Sequence, residues 1–335
     1  MSSILNIVLL CGGASPERPV SKLSSKSIYE FLELLGHSVT IIDPALGKKQ
    51  FTDPNDYFIE DLDFDISHKN YIDALSLPVF DNTDLVFIGL HGKWGEDGTL
   101  QSILELKGLK YTGSGILASA LAMDKGKSKA IFHQYGISVH PGFVIQKNRF
   151  EFEEILKRVK KDLSFPAVVK PNDQGSTFGL TICQNESLFP EALEFAFTFS
   201  DYVIIEKFVP GRELTVGVLN NKALPVLEII PKHELYDYEC KYTKGMSEYV
   251  VPAQIPSDLF SLLQNQALLA YNSLGCKDYA RVDFKLTPSG EVFCFEVNTL
   301  PGMTSTSLLP KMAAAIDISF ENLIELIINK SLNGG

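Results

Sequence analysis

The chain has 335 residues, 45% hydrophobic and 21% charged, an ordinary globular composition with room for two or three domains and a substantial core. Its net charge of -11 argues against a nucleic-acid partner, because a phosphate backbone needs a basic surface, but leaves nucleotides open, since these need only a few local cations. No apolar stretch approaches a membrane span, the N-terminus lacks a basic region followed by a cleavable apolar segment, and Cys11, Cys183, Cys240, Cys276 and Cys294 fall at no metal-binding spacing; the expectation is a reduced, cytoplasmic protein without a membrane partner.

Residues 6–11 form an apolar run, 24–35 have helical spacing, 38–42 alternate and 85–90 are apolar again. That order implies a parallel sheet with helices on its faces, whose ligand crevice lies beyond the carboxyl ends of the strands. Two loops fall there, Gly12-Gly13-Ala14-Ser15-Pro16-Glu17-Arg18 and His91-Gly92-Lys93-Trp94-Gly95-Glu96-Asp97-Gly98. A second unit begins near Gly113, with helices expected over 127–135 and 151–160 and strands over 167–170, 180–184 and 202–208. The third starts at Gly211, with a hairpin across Asn220-Asn221, another over 280–297, and two helices; the last, over 319–329, has an apolar face at Phe320, Leu323, Ile324, Ile327 and Ile328. The expected division is 1–112, 113–210 and 211–335, α/β first and α+β after.

In the second unit, Lys170-Pro171-Asn172-Asp173-Gln174-Gly175-Ser176-Thr177-Phe178-Gly179 leaves a strand at Lys170 and returns to a strand. Spacing and context differ from the phosphate loop of nucleotide triphosphatases. Two readings stay open: a hairpin folding backbone N–H groups over phosphates with Lys170 as a point charge, or a surface hairpin with a snorkelling lysine. The apolar strand ending at Pro210-Gly211-Arg212-Glu213 offers a place for a base to stack and for Glu213 to accept from ribose hydroxyls; taken alone, Glu213 reads as a solvated turn residue. Lys125, at a helix start after Met123-Asp124, is just as ambiguous by itself.

The hairpin over 280–297 is the most informative segment. A tight turn centred on Ser289 and Gly290 puts Pro288 opposite Glu291, and the same register carried outward puts Asp283 opposite Glu296 and Arg281 opposite Asn298. Residues two apart share a face, so all four project together. Facing carboxylates beside Val282, Phe284, Phe295 and Val297 repel, and a hard cation between them removes the repulsion; carboxylate and amide oxygens suit Mg2+ or Mn2+. The plain alternative is a solvated strand face with an ordinary Arg–Asp pair.

Taken together, these segments resemble the ATP-grasp fold and, more narrowly, the D-alanine–D-alanine ligase family, over essentially the whole chain. The resemblance rests on Gly12-Gly13-x-Ser15-x-Glu17-Arg18-x-Val20-Ser21, Leu90-His91-Gly92-x-x-Gly95-Glu96-Asp97-Gly98, Met123-Asp124-Lys125, Val169-Lys170-Pro171, Gly175-Ser176 and Tyr236-x-Tyr238-x-x-Lys241-Tyr242. It continues through Gly275-Cys276, Arg281-Val282-Asp283 and Glu296-Val297-Asn298-Thr299-x-Pro301-Gly302-Met303-Thr304-x-x-Ser307. It implies three domains with two lobes enclosing the nucleotide, and phosphorylation of one D-alanine carboxylate by ATP followed by attack of a second D-alanine amine. The products would be ADP, phosphate and D-alanyl-D-alanine, for peptidoglycan precursors.

Carried onto matching positions, the resemblance gives Lys125 and Lys170 the phosphates, with Ser176 under the glycine-bearing loop, Glu206, Lys207 and Val209 the adenine, and Glu213 the ribose. Asp283, Glu296 and Asn298 would bind two Mg2+ or Mn2+ ions, with activation by K+ left open. Glu17 would pair with the first D-alanine's ammonium, near His91; read alone, Glu17 is a helix-start charge. Arg281 and the Gly302 N–H would form an oxyanion hole, and Ser307 and the Leu308 backbone would take the second carboxylate, Ser307 alone reading as an N-cap. Lys241 and Tyr242, in a polar stretch over 233–248, would close over the acyl phosphate, Tyr242 favouring an amino-acid acceptor. The departures are Pro19, Gln174 and Thr177-Phe178, none at a metal or oxyanion group. The resemblance also implies a homodimer. Rival readings are a ligase of the same fold using D-lactate or another D-amino or hydroxy acid as acceptor, and a silent nucleotide-binding protein.

Overall fold

A computed structural model of the chain describes residues 4–59, 65–233, 240, 243 and 245–333. Strands β1 (Asn6–Leu10), β2 (Ser38–Ile42) and β3 (Leu85–Ile88) form the expected parallel sheet, in the order β2-β1-β3. All of β3, and all of β1 beyond Asn6, is buried, as a strand covered on both faces requires. Helix α1 (Arg18–Leu34) starts earlier than the spacing over 24–35 suggests, because Pro19 sits in its first turn, where a missing N–H costs no helical hydrogen bond. Short helices α2 (Tyr71–Leu75) and α3 (Thr99–Leu106) complete this unit, and α4 (Ile116–Met123) and α5 (Lys125–Gln134) lead out of it.

The next sheet is antiparallel: β4 (Gly142–Gln146), β5 (Ala167–Pro171), β6 (Thr181–Cys183) and β7 (Tyr202–Lys207), in the order β4-β7-β5-β6. Helices α6 (Phe152–Arg158) and α7 (Phe189–Phe197) accompany it, burying Leu156, Phe189, Leu193 and Ala196 with Val169, Val203 and Ile205. The last sheet runs β11-β10-β8-β12-β13, with β9 paired to β8. Its strands are β8 (Arg212–Leu219), β9 (Lys222–Ala223), β10 (Leu227–Pro231), β11 (Ser247–Val250), β12 (Tyr279–Leu286) and β13 (Val292–Asn298). Three described helices accompany it, where two are expected from sequence: α8 (Ser257–Ser273), α9 (Leu308–Ala314) and α10 (Phe320–Asn333). Helices α8, α4 and α5 share one core with this sheet, through Leu263, Ala267, Ala118, Ala122 and Phe132.

The apolar face of α10 is turned back onto the first sheet. Leu323, Ile324, Ile327 and Ile328 pack in one core with β1 and β3, and the Phe31 and Phe320 rings meet edge-on at 4.7 Å. This return of the chain ties its last segment to the first unit, and Glu17 and His91 from the first unit line one cleft with Arg281 and Asn298 from the last sheet.

The β12–β13 hairpin corrects the expected turn. The Thr287 N–H donates to the Glu291 carbonyl at 2.9 Å and the Gly290 N–H to the Thr287 carbonyl at 3.0 Å, so residues 288–290 make a three-residue turn. Gly290 supplies the left-handed φ of 88° that this turn needs. The inner register therefore shifts by one, with Phe284 opposite Cys294 and Leu286 opposite Val292. A bulge then leaves Phe295 unpaired and restores Asp283 opposite Glu296 and Arg281 opposite Asn298. The outer pairing is as expected, but by way of a turn and a bulge that compensate.

Candidate active site

Arg281 and Asp283 lie two apart on β12, with Thr215 of β8 opposite Asp283. The Arg281 guanidinium donates from Nε to Asp283 Oδ1 and from its terminal nitrogen to Oδ2, both at 2.8 Å, and the Thr215 hydroxyl donates to Oδ1 at 2.6 Å. An Arg–Asp pair does form, as the plain reading has it, but the Arg281 and Asp283 side chains are only 12% and 8% exposed, so the face is not a solvated one. Glu296 Oε2 stands 3.5 Å from Lys125 Nζ, and Asn298 Oδ1 accepts from the Leu300 N–H at 3.1 Å.

Asp283, Glu296 and Asn298 give two carboxylates and an amide, a hard-oxygen set that fits Mg2+ or Mn2+ provided water and phosphate oxygens complete the shell. No group of three or more His, Cys, Asp or Glu side chains placed to hold a metal ion occurs among the described residues.

The loop between β5 and β6 closes over this face. Its backbone takes left-handed φ at Ser176 (48°) and Thr177 (60°), and the Ser176 hydroxyl donates to Glu17 Oε1 from the first sheet's crevice. Lys125 Nζ donates to the Gln174 carbonyl at 2.7 Å, and Asn172 takes the Gly126 N–H and donates to Asp124, tying the loop to the start of α5. Gln174 also donates to the Phe199 carbonyl at 3.2 Å, and Phe178 packs against Phe199, with ring centroids 6.3 Å apart. Two departures from the family pattern thus anchor the loop to its own lobe. Lys93 reaches Asp173 at 3.3 Å, joining the loop to the one after β3.

Glu17 occupies the N-cap position of α1, and its side chain makes no capping hydrogen bond there. Its carboxylate is enclosed by glycines: a Cβ on Gly92 would lie 2.5 Å, and one on Gly175 2.8 Å, from Glu17 Oε2. His91 is buried, which holds its imidazole below the ordinary range although the Glu17 charge opposes this. The Leu300 carbonyl can only accept, so Nδ1 carries the proton and donates to it at 2.9 Å, leaving Nε2 to accept from Ser24 at 2.9 Å. Ser24 Oγ in turn accepts from the Met303 N–H at 3.3 Å. The three links pin residues 300–303, with Gly302 among them, to α1. Ser307 precedes α9 but its hydroxyl does not cap it; Ser307 Oγ accepts from the Thr304 N–H at 3.1 Å, which replaces the simple N-cap reading.

Two connected clefts result. One of about 330 Å³ is lined by Glu17, His91, Lys125, Ser176, Arg281, Glu296, Asn298, Gly302, Ser307 and Leu308. The other, of about 110 Å³, is lined by Lys170, Ser176, Glu213, Arg281, Asp283 and Glu296, which places it between the β5–β6 loop and the last sheet. Glu206, Lys207 and Val209 follow along and beyond β7: Glu206 is buried, Lys207 exposed and Val209 partly exposed. Glu213 accepts from Lys285 at 3.0 Å across the strand pair. Tyr236, Tyr238, Lys241 and Tyr242 lie outside the described residues.

Residues 6–114 match the family model for the D-ala D-ala ligase N-terminus, and residues 131–329 the one for the D-ala D-ala ligase C-terminus. The chain belongs to the D-alanine–D-alanine ligase family. It is 42% identical to the D-alanine–D-alanine ligase of Halalkalibacterium halodurans over 339 residues, covering 98% of this chain and 99% of that one. Against the ligase of Syntrophotalea carbinolica, identity is 40% over 322 residues, covering 96% and 94%. Among solved structures, the VanG D-Ala:D-Ser ligase of Enterococcus faecalis superposes with a TM-score of 0.81 at 31% identity, covering 98% of this chain and all (100%) of the other. The Bacillus anthracis D-alanine–D-alanine ligase complexed with ATP gives 0.76 at 30%, covering 98% of each. The architecture is the ATP-grasp fold of these ligases.

In this member of the family, two further site residues have no counterpart in the sequence reading. Lys129 contacts Glu206; its signal was its place one helical turn after Lys125, on the same face. Glu96, within a matched motif, lines the larger cleft and accepts from the Gly92 N–H at 2.6 Å. Burial, and then the Glu17 charge, push the Glu96 carboxyl up from 4.5 to about 8. The folded chain thus holds a proton that the unfolded chain releases, and stability falls as pH rises through that window. Glu96→Gln should flatten the decline, which is on the order of a few kcal/mol, in urea unfolding measured between about pH 5 and 8. An unchanged slope would reject the buried, protonated acid.

Proposed function

We propose that the chain joins two D-alanine molecules to D-alanyl-D-alanine, consuming ATP and releasing ADP and phosphate, as a step toward peptidoglycan precursors. The observation that carries this reading is the convergence of Arg281, Asp283, Glu296 and Asn298 with Lys125 and with the Glu17–Ser176 contact around one pair of clefts. The division at 1–112, 113–210 and 211–335 then has a substrate-binding unit followed by two lobes that grip the nucleotide.

Glu17, buried beside the Gly92 backbone, takes the ammonium of the first D-alanine and leaves its carboxylate facing the phosphates. Lys125 and Lys170 orient the triphosphate under the β5–β6 loop. Asp283, Glu296 and Asn298 hold Mg2+ or Mn2+, which supplies charge neutralisation at the phosphates. Phosphoryl transfer makes an acyl phosphate. The second D-alanine, its carboxylate at Ser307 and the Leu308 N–H, attacks through its amine, and Arg281 with the Gly302 N–H stabilises the tetrahedral oxyanion. His91, with both ring nitrogens used, serves by fixing the Gly302 segment. Tyr242 and Lys241 complete the acceptor side, and Glu206, Lys207, Val209 and Glu213 the nucleoside side.

No described helix is long and apolar enough to cross a membrane. The five cysteines are free and buried, which supports a reduced, cytoplasmic setting, and the family resemblance supports a homodimer as the functional unit. The likeness to a D-Ala:D-Ser ligase makes D-serine the acceptor to test beside D-lactate. The deciding assay follows ADP, phosphate and dipeptide from ATP, Mg2+ and D-alanine, with D-serine, D-lactate and L-alanine as competitors and with K+ exchanged for Na+. Release of AMP and pyrophosphate, or turnover indifferent to D-alanine, would overturn the reading.

A further inference from the structure

A buried charged group borders the smaller cleft, reaching it through Lys170. Glu206 of β7 is 1% exposed; one carboxylate oxygen contacts Lys129 Nζ and the other is 2.7 Å from Lys170 Nζ. Lys129 is 7% and Lys170 12% exposed, so one carboxylate bridges two ammonium groups away from water. Lys170 sits at the mouth of the nucleotide cleft and Lys129 behind it, on α5, one turn after Lys125.

A phosphate that draws Lys170 toward itself takes a counter-ion from Glu206, and a buried carboxylate left without one is strongly disfavoured. We propose that Lys129 is a positioning residue for ATP: it remains as the fixed counter-ion of Glu206, so that Lys170 can exchange Glu206 for phosphate. This rests on the reading that Lys170 binds phosphate. Burial, and then the neighbouring Lys170 charge, disfavour the ammonium form of Lys129. Departure of Lys170 to phosphate relieves that repulsion, so the Lys129–Glu206 pair tightens as ATP arrives.

The test is a double-mutant cycle read by the affinity for Mg2+-ATP, from titration calorimetry, and by KM for ATP and for D-alanine. Lys129→Met should weaken ATP roughly tenfold or more, with KM for D-alanine within about twofold. Lys129→Arg, which keeps the counter-charge, should restore most of the affinity. In a Glu206→Gln background no carboxylate remains to be stranded, so adding Lys129→Met should change ATP affinity by less than about twofold. Equal losses from Lys129→Met in both backgrounds, or none in the native one, would overturn the proposal. If Lys129→Met does not fold, the comparison within the Glu206→Gln background and the Lys129→Arg result still decide it. Lys170→Met separates the two levels: unchanged ATP affinity there sinks the phosphate assignment, whereas a loss there with none in Lys129→Met sinks only the role of Lys129.

Discussion

Arg281→Ala should lower kcat by roughly 10²- to 10³-fold, the usual consequence of removing one oxyanion donor, or about 3 to 4 kcal/mol of transition-state stabilisation. The structure supplies a competing explanation that the experiment must separate. Arg281 makes a bidentate contact with Asp283 at 2.8 Å, so the substitution also releases a proposed metal ligand, which keeps Thr215 as a donor at 2.6 Å. If Arg281 acts on the tetrahedral oxyanion, kcat falls while KM for ATP and the half-saturating Mg2+ concentration stay close to native. If it acts only by holding Asp283, the Mg2+ dependence moves and saturating Mg2+ recovers turnover. Full recovery at high Mg2+ would therefore remove Arg281 from the oxyanion hole.

The β12–β13 hairpin shows how much of this site the residues announce by themselves. Alternation puts Arg281 with Asp283 and Glu296 with Asn298 on common faces, and the register carried outward from the expected turn sets the two pairs opposite each other; that pairing holds. The turn does not: Gly290 was free to serve either a two- or a three-residue connection, and only the bulge at Phe295, a property of the paired strands, reconciles the inner and outer registers. The first sheet was legible for a similar reason, since continuous apolar runs such as Leu85–Ile88 admit little besides a strand buried on both faces. The return of α10 onto that sheet was not, because an apolar helix face specifies burial without naming its partner. Lys129 and Glu96 escaped for the opposite reason: charged residues read as solvated until tertiary packing puts them beside Glu206 and Glu17.

Glu296→Ala should abolish Mg2+-dependent ATP turnover, a loss on the order of 10³-fold or more, while the chain stays folded. Folding is expected to survive because the Glu296 side chain is 22% exposed and belongs to a strand whose packing faces, Cys294 and Val297, are untouched. The substitution leaves Asp283 as the one carboxylate among the proposed metal ligands and takes from Lys125 the partner at 3.5 Å. Lys125 keeps its bond to the Gln174 carbonyl, so the β5–β6 loop should hold its place and nucleotide should still bind, weakly and with little dependence on Mg2+. Glu296→Gln discriminates further: an amide keeps the shape and one oxygen ligand but removes the charge, so Mn2+, which binds nitrogen- and oxygen-rich sites more tightly than Mg2+, should restore part of the activity in that variant. Native turnover in Glu296→Ala, with its melting temperature unchanged, would reject the metal role and with it the route by which β13 brings the phosphates to the first D-alanine.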